Sequence, residues 1–147
     1  MDQLNDIMFG HVSIYSFPGG KTSFKSELNR IASELDIRNI DVLIEPQKLI
    51  ISKIYENKKI LKKLKSFHSD GEIRGSFESW LLLIIFLIVV DILKKEYYVR
   101  KTLSIQKELK EKNLDPEIYI KIYGILRDEG IINEALKLIN KIFKKGT

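Results

Sequence analysis

Trp80 to Val90 is an unbroken run of eleven apolar residues. A membrane-spanning helix needs roughly 20 such residues. Asp91, Lys94 and Lys95 close this run early. The run is therefore expected inside a protein core, and with no polar side it must be covered all round. Periodicity does not decide its conformation. Phe77 to Leu93 has the length of a buried helix, while Phe86 to Val90 is also β-prone enough for a strand.

A chain of 147 residues can bury such a core as a single domain without disulfides. Hydrophobic residues make up 44% and charged residues 31%, the balance of a globular chain. Without cysteine, thiolate metal sites and a Cys nucleophile are excluded. The polar, acidic start (Met1 to Asp6) does not have the pattern of a signal peptide, so a cytoplasmic location is expected.

Around the core run, elements are read from spacing and caps. His11 to Ser16 alternates as a strand does. Phe17-Pro18-Gly19-Gly20 is a turn, and Thr22 or Ser23 can cap a helix with Phe24, Leu28, Ile31, Ala32 and Leu35 on one face. Ile40 to Ile44 is expected as a second strand ended by Pro46, with Ser52 as the next helix cap. Ser76 is the expected cap before the core run. Tyr97 to Lys112 is expected as one helix. Asp115 and Pro116 open another, ending at Gly130, and an amphipathic helix follows. The expected class is α+β in a single domain, 1–147. A strand–helix–strand portion (1–46) packs on a mainly helical portion (47–147).

Candidate chemistry is sparse. Tyr15 to Thr22 sits where a phosphate-cradling loop would, but Tyr15 stands where its first glycine belongs, so Pro18 to Thr22 is at most a degenerate version. His68-Ser69-Asp70 has triad residue types, yet adjacent residues cannot converge as a triad does. His11 and His68 are the only histidines, too few for a histidine-rich metal site. No catalytic residue, metal or cofactor is expected. Asp115 to Phe143 is near tetratricopeptide spacing, but one repeat reads as a plain helical hairpin.

Charge is uneven. Residues 1–41 carry a net −2 of the overall +5, which leaves +7 on residues 42–147. Six lysines (Lys53, Lys58, Lys59, Lys62, Lys63, Lys65) fall together with Glu56 as the one acid among them. Such a cluster suits phosphates, or is simply a solvated helix face.

Three stretches carry a family resemblance. They are Asp41 to Pro46 followed by Leu49, Ile50 and Ser52; Ile73 to Phe77 followed by Leu81 to Leu83; and Ile122 to Ile125 through Gly130 to Ile142. Together they resemble the kinase-binding, Cgi-type subunit of the KEOPS complex of archaea and eukaryotes. The resemblance implies a strand ending at the acid–proline step and a non-catalytic accessory role in threonylcarbamoyladenosine synthesis on tRNA. It implies two partners, the complex's small atypical kinase and the tRNA 3′ end, and neither a membrane nor a small-molecule substrate. The expected RNA surface is Lys58, Lys62 and Lys65 with Arg74 and the helix start at Ser76. The expected partner surface is an exposed edge formed by Ile131, Leu138 and Lys141. Two other readings stand beside it. Phe77 to Leu81 and Leu114 to Tyr119 are faintly similar to GINS-type subunits of DNA-replication assemblies. A viral or orphan helical interaction protein is the other.

Overall fold

The computed structural model describes residues 24–98 and 105–146. Among them lie seven helices and no strand: α1 (Phe24–Glu34), α2 (Asp41–Glu56), α3 (Lys58–Asp70), α4 (Phe77–Tyr97), α5 (Ile105–Glu111), α6 (Pro116–Asp128) and α7 (Ile131–Gly146). The described chain is all-helical, which corrects the α+β expectation. His11 to Ser16 and the Tyr15 to Thr22 loop lie outside the described residues, as do Thr22 and Ser23.

Ile40 to Ile44 is not a strand. It leads into α2, and Pro46 is buried within that helix. Val42, Leu43, Pro46, Gln47, Ile50, Ile51 and Ile54 are all buried, so the helical period runs straight through the proline. Burying that face outweighs the loss of one amide donor at Pro46. Asn39 Oδ1 accepts from the Asp41 amide at 3.1 Å and steadies the first turn. Ser52 lies inside α2, and the cap of α3 is Asn57, whose Oδ1 accepts from the Lys59 and Ile60 amides at 3.1 and 3.2 Å.

The core run forms α4. Ser76 caps it as expected, its Oγ accepting from the Ser79 amide at 3.1 Å. Every residue from Trp80 to Leu93 is buried, so Phe86 to Val90 is helix. No helix among the described residues is long and apolar enough to cross a membrane. α2 packs on α4 and most extensively on α7, α6 lies on α7, and α3 touches both α4 and α6. Phe24 of α1 meets Phe86 edge-on with ring centroids 6.0 Å apart. The expected helix over Tyr97 to Lys112 is not continuous. α4 stops at Tyr97 and a separate α5 starts at Ile105. Asp115 does cap α6, accepting from the Glu117 amide at 2.9 Å, with Pro116 in the first turn.

Three helices end alike. Asp36, Glu72 and Asn113 have φ of 54°, 49° and 57°. The next residue in each case is apolar and donates its amide back into the helix: Ile37 to Ala32 O at 2.8 Å, Ile73 to His68 O at 3.3 Å and Leu114 to Leu109 O at 2.8 Å. This left-handed stop turns Ile37, Ile73 and Leu114 back onto the core. Gly130 after α6 has a φ of 79° and needs no side-chain strain.

Charged groups clamp α1 to the end of α5. Arg30 bonds Glu27 at 2.7 Å and Glu108 at 2.8 Å, and Lys112 bonds Glu27. Burial pushes the Glu27 carboxyl up, but the hydrogen bonds and charges of Lys112 and Arg30 outweigh it and hold the group below the ordinary value of 4.5. Just past the core run, Tyr119 donates to the buried Asp91 at 2.9 Å, and burial followed by the Asp91 charge pushes the phenol up.

A depressed carboxyl stabilises the fold above its unfolded pKa, and that contribution is lost as pH falls through the folded value. Glu27→Gln is expected to lose about 1–3 kcal/mol at neutral pH. Its stability should then fall less steeply than wild type below about pH 4.5. Urea melts across that range check this, and parallel pH profiles would contradict it. At the left-handed stops, Glu72→Gly is expected to gain about 1 kcal/mol in thermal unfolding, and Asn113→Gly less, because Asn tolerates this conformation better than Glu.

Candidate nucleic-acid interface

α3 turns its apolar side inward. Ile60 and Leu64 are buried, Leu61 and Phe67 are half-buried, and Lys58, Lys59, Lys62, Lys63 and Lys65 are exposed. Lys58, Lys62 and Lys65 follow one flank of the helix over about 10 Å of rise. With Leu61, Ser66, Ser69 and Asp70 they line an open groove of about 460 Å³.

Five lysines fall within eight residues of this helix. Lys48, Lys53, Lys95, Lys107 and Lys112 each face an acid within 4.0 Å. None of the five α3 lysines is paired with an acid among the described residues. Lys53, part of the same cluster in the sequence, is set apart by its contact with Glu134 at 3.7 Å. The first turn of α3 has no acid, so Lys58 and Lys59 oppose the helix dipole. The Lys58–Lys62 and Lys59–Lys63 pairs stand four residues apart and repel.

The groove runs toward the α3–α4 corner, which is aromatic. The Lys65 ammonium stands 5.8 Å from the centre of the Phe77 ring. His68 packs against Phe77 and Trp80, with centroids 5.9 and 5.3 Å away. A His68 ring nitrogen lies 3.1 Å from the Gly75 carbonyl, a distance at which a protonated Nε2 donates to it. This bond holds His68 at the corner, away from the triad role its neighbours Ser69 and Asp70 would need.

The structure brings Lys58, Lys62 and Lys65 together, and neither Arg74 nor Ser76 lines their groove. Arg74 is exposed but lines a different cavity. Ser76 is exposed, with its hydroxyl engaged in capping α4. On α7, Lys141 is exposed and Leu138 half-buried, but Ile131 is only 4% exposed. Ile131 therefore belongs to the core and not to an exposed partner edge, because the turn at Gly130 folds the start of α7 onto α2. Sequence reading missed the His68–Phe77–Trp80 corner. The three-residue step from Phe77 to Trp80 was a signal for one pair, but nothing in the sequence placed His68 beside them.

Among the described residues, no group of three or more His, Asp or Glu side chains is placed to hold a metal ion. Comparison with family models, curated proteins and solved structures finds no match to this chain.

The α3 charge arrangement predicts a stability gain on reversal. Lys58→Glu puts an acid at the helix start and an attractive pair with Lys62. The expected gain is a few tenths to about 1 kcal/mol at low salt, shrinking as salt rises. Thermal unfolding at two ionic strengths checks it.

Proposed function

We propose that this protein is a non-catalytic RNA-binding protein that holds the phosphate backbone of a folded RNA, tRNA being the leading candidate, on the lysine face of α3. One observation carries this reading: five neighbouring cations of one helix have no acid partner among the described residues, with Lys58 and Lys59 opposing the dipole and the pairs four residues apart repelling each other. Five other lysines (Lys48, Lys53, Lys95, Lys107 and Lys112) each meet an acid, and none of the rest is gathered with four others within eight residues. Lysines spaced along one flank suit successive phosphates, which position a nucleic acid without reading its bases. The Phe77 ring beside Lys65 adds a surface on which an unpaired base can stack.

The role in a tRNA-modifying complex is a narrower form of this proposal. The resemblance behind it keeps the Ser76 helix start and the final helix pair but loses the strand it needs at Asp41 to Pro46. In that form Leu138 and Lys141 are what remains of the kinase-facing surface on α7.

A gel shift with whole tRNA, tRNA lacking its 3′ CCA and a duplex DNA of similar length tests the proposal. Whole tRNA is expected to bind, with a log–log salt slope of about −2 to −3 if three phosphates are neutralised. The combined Lys58→Glu, Lys62→Glu and Lys65→Glu variant should bind at least about tenfold more weakly while remaining folded. Dependence on the CCA would favour the narrower role. No binding of tRNA, or unchanged binding by the triple variant, would overturn the α3 assignment.

A further inference from the structure

A second cavity, about 590 Å³ in volume, lies between the α3–α4 connection, the start of α4 and the α5–α6 connection. This is within the range of small-molecule sites, about 300–1,000 Å³. Its floor is Trp80, Leu83 and Ile84, and Leu114 and Ile118 form an apolar wall. Glu72 and Arg74 sit on the opposite connection and are both exposed. The groups that could neutralise a ligand are reduced by commitments already described. Lys112 is held by Glu27 and Glu108. Asp115 is occupied in capping α6. Glu72 and Arg74 are each without an opposite charge among the described residues, and they are not paired with each other.

We propose that this cavity binds a small zwitterion with an apolar body, of the class of apolar α-amino acids. A purely anionic ligand would suit Arg74 and face the Glu72 carboxylate unpaired. A purely cationic one would do the reverse. A neutral apolar ligand would cover both charges and pair neither, which is costly. An α-amino acid meets all three demands. Its carboxylate takes the forked guanidinium of Arg74, its ammonium takes Glu72, and its side chain covers Leu114 and Ile118 above Trp80. The left-handed stop holds the Glu72 backbone in place through the Ile73 amide, which leaves the two exposed side chains as the groups to be ordered on binding. None of these residues lines the α3 lysine groove, so the site stands independently of RNA binding.

Trp80 is the only tryptophan of the chain, and its emission reports on the cavity floor. Full-length protein would be titrated with leucine and phenylalanine, then with N-acetyl-leucine, leucinamide and glycine. Isothermal calorimetry on the same series covers a ligand that leaves emission unchanged. Saturable binding of leucine or phenylalanine is expected at about 1 mM or tighter. N-acetyl-leucine, leucinamide and glycine should each bind at least about tenfold more weakly. Arg74→Gln should remove the preference for leucine over leucinamide, and Glu72→Gln the preference over N-acetyl-leucine. Both side chains are exposed, so neither change threatens the fold. N-acetyl-leucine or leucinamide binding as well as leucine would overturn the zwitterion assignment. Absence of binding by both methods up to about 10 mM would overturn the site.

Discussion

The fold depends on having to bury α4 on every side. From Trp80 to Leu93 every residue of this helix is buried. A helix with an apolar stripe needs one partner, but one that is apolar all round needs a ring of them. α2 and α5 pack against it directly, α3 meets it near its start, and α1 brings Phe24 onto Phe86. α7 packs mainly on α2, with α6 beside it, and its Phe143 meets Tyr97 at the end of α4 with ring centroids 4.7 Å apart. The polar exception is Asp91, and Tyr119 and Lys95 satisfy it at 2.9 and 3.4 Å. A carboxylate left unpaired there would destabilise the whole arrangement.

What could be read from the sequence followed from how local the signal was. Ser76, Asp115 and Gly130 act through their own turn, and all three mark helix ends where expected. The inward face of α1 was also legible, since Phe24, Leu28, Ile31 and Leu35 follow a single period. Ile40 to Ile44 misled because five residues, cut off at Pro46, look β-prone. The helical period appears only when Gln47, Ile50, Ile51 and Ile54 are counted across the proline. The stops at Asp36 and Glu72 left little trace, because neither Asp nor Glu advertises a left-handed backbone as Gly does. Of the candidate interface, the lysine flank was legible because it lies on one helix. The position of Arg74 was not, because the turn after α3 decides which cavity it faces.

Charged residues do two different things in this chain, and the difference is visible in their partners. Glu27, Arg30, Glu108 and Lys112 form a charge cluster between α1 and the end of α5, with the exposed Glu34 on its rim. Bringing them together is tolerable only because each charge is met. Such a group fixes how the two helices sit, since any shift would leave a buried charge without its partner. It needs nothing from outside the protein.

The α3 lysines are the opposite case. A lysine-rich composition alone would scatter cations over exposed faces and would place them beside acids about as often as elsewhere. Within α3 the one acid is Asp70, at the far end from Lys58, and Glu56 just before the helix is not paired with any of the five lysines. Repulsion along the flank is relieved by water and salt, but it is relieved more fully by a polyanion that supplies its own regularly spaced charges. Local disagreement between a helix and its charge pattern is what a binding surface is expected to show in the free state. The same reasoning separates α3 from α7. Lys137 and Lys141 share α7 with Glu134, which already meets Lys53 across the fold, and the apolar face of α7 is covered by α2 and α6. Lys141 stands toward the C-terminal end of α7, where the dipole favours a cation, whereas Lys58 and Lys59 stand at the start of α3, where it does not, and that difference favours α3 for the proposed interface.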